Sequence, residues 1–178
     1  QIFAFGNRHL TQMNTFFLSS FNSPIGLLHF VHRDNVLYAL EFEEFDARLM
    51  KSLNRYLAND FELSVCEDSA IHSLLESYFS GDINALDRIK THALGTDFQQ
   101  QVWQALRTIP VGKTASYQQI AQQINKKDGQ RAVGMANGKN PIPLVIPCHR
   151  VINSNGKLGG YSGALWRKQW LLKHEGII

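Results

Sequence analysis

Two helix-start signals of the same kind stand in the second half of the chain, and they constrain its fold more than any other feature. Thr96 lies three residues before Gln99, and Ser116 lies three residues before Gln119. This is the spacing of a capping box, in which the two side chains satisfy free amide groups at the start of a helix. Apolar residues at helical spacing follow both signals, and the segment 110–112 carries Pro and Gly, which end the first helix. The pattern predicts two consecutive helices.

A third, short helix is predicted over residues 130–137, after a polar turn at residues 125–129. Helix, short turn and helix is the spacing of a helix-turn-helix. The third helix is slim, because most of its side chains are small. Gly134 within it costs about 1 kcal/mol of helix stability relative to alanine, so we expect another group to approach the helix closely at this position. Two explanations stay open at this point. The helix either packs tightly on its neighbour or fits a narrow nucleic-acid groove.

The first half of the chain shows strand patterns instead. Turn-forming residues separate three segments that predict an antiparallel meander: 15–20, 27–32 and 36–42. Helical periodicity then predicts two helices, at 46–57 and about 68–80. The expected fold class is α+β, with a small N-terminal antiparallel sheet and its helices followed by a mostly helical, winged-helix-like helix-turn-helix domain.

Three segments are expected along the chain. Met13 is a candidate natural start, so residues 1–13 are interpreted as a non-native or disordered extension. Residues 14–90 are expected to form an N-terminal α/β support domain, and residues 91–178 the functional domain. The charge distribution agrees with this division: residues 1–90 hold 7 Lys/Arg against 12 Asp/Glu, whereas residues 91–178 hold 11 against 3. Such asymmetry indicates either a polyanion-binding half or a solvated basic face.

The composition also bounds where the protein works and what it binds. No run of about 18 apolar residues is present, and the first residues lack the layout of a signal peptide, so we expect a cytoplasmic protein without membrane contact. The two cysteines, Cys66 and Cys148, are far apart in unlike contexts. Neither a disulfide framework nor a zinc site is therefore predicted, and we expect no metal and no cofactor.

Residues 140–147 contain three prolines and are expected to be extended, because proline disfavours the helical region for the residue before it. They lead to Cys148-His149-Arg150. Cys148 is either a small buried apolar residue or a nucleophile. Successive side chains of extended chain point to opposite faces, so a Cys148–His149 pair requires a turn at the cysteine. Glu175 is the best-placed carboxylate to hold the histidine in one tautomer.

These residues carry a family resemblance. Four motifs closely resemble the O6-alkylguanine-DNA alkyltransferases: Ile146-Pro147-Cys148-His149-Arg150-Val151, Gly95-Thr96-x-Phe98-Gln99, Ser116-Tyr117 and Gly160-Tyr161-Ser162-Gly163. The likeness runs through about residues 95–176, and Ser23-Pro24-Ile25-Gly26 is similar to the family's first hairpin. It implies a suicide repair protein that moves an alkyl group from O6 of guanine irreversibly onto its own cysteine.

The resemblance implies a role for each matching residue. Cys148 would be the nucleophile and His149 its base, acting through a bound water, while Glu175 orients the imidazole. Tyr117 would donate to the purine and crowd the 3′ phosphate, and Asn140 would link the helix-turn-helix to the active site. The implied residues that line the substrate pocket are Val151, through its backbone, together with Tyr161 and Ser162.

For DNA, the resemblance implies that Arg131 replaces an extruded base in the stack and that the slim helix, with Ala132 and Gly134, enters the minor groove. The implied partner is double-stranded DNA that contains O6-alkylguanine, with O4-alkylthymine left open, and we expect a monomer. A helix-turn-helix DNA-binding protein without chemistry is the alternative, and a cysteine hydrolase is a third reading. Relatives that replace the cysteine only bind lesions, and Cys148 argues against that branch.

Overall fold

The computed structural model describes residues 14–178, so the predicted extension at 1–13 lies outside the described residues. The first three strands form the expected antiparallel meander: β1 (Asn14–Ser23), β2 (Gly26–Arg33) and β3 (Val36–Phe42). The β2–β3 turn places Asp34 and Asn35 at φ of 53° and 60°. This left-handed pair is the conformation that a two-residue hairpin requires, and Asp and Asn tolerate it better than other non-glycine residues.

The prediction of a purely antiparallel sheet is wrong. Two further strands, β4 (Phe61–Val65) and β5 (Lys90–Thr91), pair in parallel with β1 and β3 at opposite edges, giving a mixed sheet in the order β4-β1-β2-β3-β5. Parallel pairing needs a crossover connection. Helix α1 (Asp46–Tyr56) precedes β4, and helix α2 (Ala70–Phe79) lies in the long segment that leads to β5.

The sheet buries both of its faces, because alternating side chains enter two different clusters. Phe30 packs into the larger cluster with α2, whereas the adjacent Val31 packs with α1 on the other side. The larger cluster continues into the second half of the chain, where it includes Trp103 and Cys148. A backbone hydrogen bond from Leu40 N to Pro141 O, 3.0 Å long, also joins the two halves. The candidate site therefore lies against the N-terminal sheet.

The helices of the second half begin at the predicted capping boxes. Helix α3 (Asp97–Arg107) is capped by Thr96 and Gln99, and helix α4 (Tyr117–Gln123) by Ser116 and Gln119, with both reciprocal hydrogen bonds formed in each box. Just before α4, the two-residue strand β6 (Ala115–Ser116) pairs in parallel with β7 (Val151–Ile152).

Helix α5 (Gln130–Gly138) follows α4 across a tight turn and packs against both α3 and α4. Asn125 stands at φ 58°, and Lys126 N donates to Ala121 O, which ends α4 in the way a left-handed C-cap does. Gly129 has no room for a side chain, because an added Cβ would lie 2.8 Å from the Cβ of Lys126. The turn thus fixes α5 relative to α4 without a proline.

The prediction that residues 140–147 are extended is wrong. Ile146 N donates to Ile142 O, Val145 N donates to Pro143 O, and Leu144 has a φ of 69°. The side chain of Asn140 stabilises this compact turn, since its Oδ1 accepts from Ile142 N and its Nδ2 donates to Ile146 O. The prolines exclude a helix here, but they are equally compatible with consecutive turns.

The chain ends with helix α6 (Leu165–His174), which packs on the turn around Cys148. Arg167 of this helix is buried and donates to Ile25 O and Gly163 O, and its guanidinium lies 3.8 Å from the centre of the Phe42 ring. These contacts attach α6 and the preceding loop to the sheet. Within residues 14–178, no helix is both long enough and apolar enough to cross a membrane.

Candidate active site

Cys148 lies in a 3₁₀ turn, Cys148–Arg150, so the turn that the sequence required at the cysteine is present. Its side chain is buried, with the residue only 2% exposed. Burial raises the pKa of the thiol to about 11, although the nearby Asn140 amide and the Lys168 ammonium act in the opposite direction. The cysteine therefore remains a neutral thiol near pH 7, and its proton must leave when it reacts.

His149 is completely buried, and its Nε2 lies 2.9 Å from Glu175 Oε1. Burial lowers the pKa of the imidazole, and the positive charges of Arg150 and Lys168 lower it further, against the opposite pull of Glu175. We therefore take the imidazole as neutral. A neutral ring facing a carboxylate carries its proton on Nε2, which leaves Nδ1 as the basic nitrogen. Nδ1 is buried and has no hydrogen-bond partner among the described residues.

Glu175 follows the end of α6 and accepts hydrogen bonds from three side chains. Arg150 contacts both carboxylate oxygens, with Nε 2.9 Å from Oε2 and Nη2 3.0 Å from Oε1, and the Tyr78 hydroxyl lies 2.9 Å from Oε1. Burial alone would raise the pKa of Glu175, but its hydrogen bonds and charge contacts with His149 and Arg150 outweigh burial and lower the pKa to about 2. The two-point Arg150 contact keeps Glu175 ionised whether or not His149 carries a charge.

Two tyrosines lie close to the thiol. Burial, and then the nearness of Cys148, raises the pKa of both Tyr117 and Tyr161. Tyr117 is half-buried at the first position of α4. The hydroxyl of Tyr161 is buried and has no hydrogen-bond partner within the described part of the chain. Both phenols thus remain protonated near pH 7 and can donate a hydrogen bond.

The other predicted pocket residues occupy different surroundings. Val151 is buried, and its carbonyl accepts from Lys168 Nζ at 2.6 Å. A carbonyl oxygen has two lone pairs, so that of Val151 can accept a second hydrogen bond while it is bound to Lys168. Ser162 is exposed and lines, together with Asn140, a cavity of about 400 Å³ between α1 and the start of α3.

The predicted DNA-binding residues lie on the outer side of α5. Arg131 and Ala132 are exposed and Gly134 is half-buried. Arg131, Gly134 and Tyr117 line one open depression of about 230 Å³. The structure therefore places the slim helix beside the tyrosine that starts α4.

Sequence reasoning missed three parts of this site. Tyr78 belongs to α2 in the first half, which was expected to form a support domain. Lys168 is completely buried and donates to three backbone carbonyls, those of Val151, Leu158 and Gly160, which fixes the loop before α6. Lys168 lies three and four residues before the buried Leu171 and Leu172, and this helical spacing could have indicated that Lys168 shares their buried face. The sequence did not identify Arg150 as the partner of Glu175.

Among residues 14–178, no group of three or more His, Cys, Asp or Glu side chains is arranged to hold a metal ion. Cys66 is partly exposed and distant in sequence from the cluster, and its thiol donates to Asp68 O. The side chains that the structure places at the candidate site include one buried thiol, a histidine bound to a carboxylate, and two phenols.

Several known proteins are similar enough to this chain to show its family. The family model described as the DNA-binding domain of 6-O-methylguanine DNA methyltransferase matches residues 97–177. The methylated-DNA–protein-cysteine methyltransferase of Salmonella typhimurium is 43% identical over 159 residues, covering 88% of this chain and 93% of that protein. The chain belongs to the methylated-DNA–protein-cysteine methyltransferase family.

Other members of the family show the same likeness. The corresponding protein of Mycolicibacterium paratuberculosis is 44% identical over 154 residues, which cover 86% of this chain and 88% of that protein. The crystal structure of Mycobacterium tuberculosis OGT in complex with DNA superimposes with a TM-score of 0.74 at 39% identity, covering 89% of this chain and 92% of that one. Family membership confirms the resemblance, and the shared α+β architecture confirms the predicted fold class apart from the mixed sheet.

Proposed function

We propose that this protein repairs double-stranded DNA by moving an alkyl group, typically methyl, from O6 of guanine to Sγ of its own Cys148. The observation that carries the proposal is the buried thiol in a turn that also presents His149, with Glu175 bound to the far side of the imidazole. Membership of the methyltransferase family supports the same reaction. The protein needs no cofactor for this chemistry, because the acceptor is its own side chain.

The transfer is a displacement at the alkyl carbon. Sγ of Cys148 forms a bond to that carbon while the bond from the carbon to O6 breaks, and the bonding electrons pass to the guanine. The thiol proton leaves to Nδ1 of His149 through a water, and Glu175 stabilises the imidazolium that forms. The Tyr117 hydroxyl donates toward the purine as negative charge develops on it, because guanine is a poor leaving group as an anion.

The product explains why each molecule would act once. S-alkylcysteine is a thioether, which has no acidic proton and is a poor leaving group, so water does not regenerate the thiol. Burial of Cys148 further limits access by an external nucleophile. One alkyl group per protein molecule is therefore expected, in contrast to the repeated turnover of a cysteine hydrolase.

Three residues are assigned to the pocket that receives the alkylated base. The backbone of Val151 would read the guanine edge, and the Tyr161 hydroxyl, buried without a partner among the described residues, would donate to the substrate. Ser162 would meet O6 from the loop that precedes α6. Asn140 holds the turn at 140–146 and so links the end of α5 to the cysteine.

We assign DNA binding to the outer side of α5. Glycine is not required there by packing within the molecule: a Cβ added at Gly134 would meet only the Tyr117 ring, at an ordinary 3.8 Å, and one at Gly138 would meet nothing within 4 Å. A helix with small side chains would, however, fit into a narrow minor groove. Arg131 is exposed at the start of this helix and would occupy the place of the extruded base. Exposed lysines nearby would bind phosphates: Lys126, Lys127 and Lys139.

The division of labour follows from these assignments. Residues 91–178 would bind DNA and carry the acceptor, and residues 14–90 would support them as an α/β domain. A monomer suffices, because every residue in the proposed reaction comes from one chain.

The proposal is tested by following label from DNA that contains O6-[³H-methyl]guanine. Wild-type protein should take up one methyl per molecule, and uptake should stop when the protein is consumed. Cys148→Ala should take up none but still bind the duplex, whereas the matched variant Cys66→Ala should behave as wild type. Repeated turnover, or transfer in Cys148→Ala, would refute the proposal, and binding without any transfer by the wild type would leave a non-catalytic DNA-binding protein.

A further inference from the structure

Tyr78 connects the N-terminal half to the proposed reaction. It lies in α2, its ring is completely buried, and its hydroxyl donates to Glu175 Oε1 at 2.9 Å. The two residues are 97 positions apart in the chain. A buried tyrosine could have bonded to a nearby backbone carbonyl, but here it contacts the carboxylate that holds His149.

The Tyr78 hydroxyl shares its acceptor atom with the histidine. Glu175 Oε1 accepts from Tyr78 Oη, from His149 Nε2 and from Arg150 Nη2, whereas Oε2 accepts from Arg150 Nε. A carboxylate oxygen has two lone pairs, so three donors on one oxygen compete for its negative charge. Each additional donor weakens the hold of that oxygen on the others.

We infer that Tyr78 is a positioning residue for alkyl transfer: its hydroxyl limits how strongly Glu175 Oε1 binds His149 Nε2, and this keeps the imidazole neutral with Nδ1 ready to accept a proton. The inference rests on the proposed function and deepens it. It assigns to the N-terminal half a part in the reaction beyond mechanical support, since α2 supplies the third donor.

The direction of the effect follows from the charges around the pair. Without the Tyr78 hydroxyl, Oε1 has one donor fewer, so its negative charge interacts more strongly with His149. This stronger interaction favours the imidazolium and raises the pKa of the histidine. The other charged or titratable groups that face Tyr78, His149 or Glu175 are unchanged by this loss: Cys148 and Arg150 on the 3₁₀ turn, Tyr161 on the loop, and Lys168 and His174 on α6.

The test is the pH profile of methyl transfer for Tyr78→Phe on duplex DNA that contains O6-methylguanine. Because neutral His149 is the base, the rate should fall on the acid side, and the midpoint of that fall should lie about one pH unit higher in Tyr78→Phe. On the acid limb this shift corresponds to a rate about tenfold lower, while the plateau rates should agree within about threefold. The matched control is Tyr38→Phe, whose ring packs against Phe16 in the sheet.

Several outcomes would overturn the inference. A uniform loss of rate with an unchanged midpoint would mean that Tyr78 has only a structural role, and an equal shift in Tyr38→Phe would mean that the effect is not specific. If Tyr78→Phe does not fold, site-specific 3-fluorotyrosine at position 78 serves instead. Fluorination makes the hydroxyl a stronger donor, so the midpoint should move to lower pH, and movement to higher pH or no movement would refute the inference.

The two proposals fail in distinguishable ways. Wild-type protein that transfers no methyl group would refute the proposed function itself. If the wild-type protein transfers methyl and its rate falls on the acid side, but the rate of Tyr78→Phe falls at the same pH, only the role of Tyr78 would be refuted.

Discussion

Replacing Glu175 with glutamine tests the buried cluster in depth. In the wild type the pKa of this carboxyl falls from its ordinary 4.5 to about 2, and because part of this shift requires a charged His149, the stabilisation at neutral pH is at most about 3 kcal/mol. Removing one partner of a buried ion pair generally costs about 3 to 5 kcal/mol of folding stability, and here Arg150 would be left without its counter-charge. Glu175→Gln should therefore lose a large but measurable part of the free energy of unfolding.

The pH dependence of that loss has a definite sign. A carboxyl whose pKa is lowered by folding contributes stability that is present above its unfolded pKa and is lost as the pH falls toward the folded pKa. Glu175 also supports a positive charge on His149, so the gap between wild type and Glu175→Gln should first widen as the pH falls below the ordinary pKa of histidine. The carboxyl's own contribution should then fall by about 1 kcal/mol between pH 5 and pH 3.5, within the window between 4.5 and about 2.

Urea unfolding at a series of pH values measures this gap, with the exposed Glu76→Gln as the matched control. The control should change stability little at any of these pH values. Methyl transfer by Glu175→Gln should fall by about 10² to 10⁴, since His149 loses the partner that fixes its tautomer. A stability gap that does not narrow between pH 5 and pH 3.5, or unchanged transfer, would refute the reasoning.

Three further predictions concern other parts of the site. Arg131→Ala should slow repair of duplexes far more than reaction with free O6-alkylguanine, and equal loss on both, measured by single-turnover assays, would contradict the base-extrusion role. Gly134→Ala should keep or raise thermal stability, since Cβ fits and alanine favours a helix by about 1 kcal/mol, yet weaken binding in a duplex titration; unchanged affinity would argue against groove insertion. Lys168→Met should leave three carbonyls without their donor and raise the pKa of the Cys148 thiol, measured by iodoacetamide alkylation against pH; an unchanged titration would exclude this charge effect.

The helix starts of the second half could be predicted because their signals are local. Thr96 and Ser116 cap helices with residues only three positions away, so neighbouring sequence contains the whole interaction. The meander of β1 to β3 is equally local, because short turns connect its strands. In contrast, β4 and β5 are short edge strands whose parallel partners are distant in sequence, and no local pattern identifies such partners.

The same distinction applies to the candidate site. Cys148 and His149 could be found because they stand in one motif, and Glu175 could be chosen as the best-placed carboxylate of the second half, with the same role implied by the family resemblance. Tyr78 could not be found in this way, since its only distinguishing feature is a contact with a residue 97 positions later. The turn at residues 140–147 was missed because prolines exclude a helix without distinguishing extended chain from turns, and the deciding hydrogen bonds come from the Asn140 side chain.

The identity of the acceptor atom is the central claim, and peptide mass spectrometry tests it most directly. The protein should be incubated with an excess of duplex DNA that contains O6-methylguanine, digested, and mapped. The proposed function predicts a gain of one methyl group on the peptide that contains Cys148, complete at one equivalent, with the Cys66 peptide unchanged. A methyl group on any other residue, or a Cys148 peptide that remains unmodified while the DNA is demethylated, would contradict it.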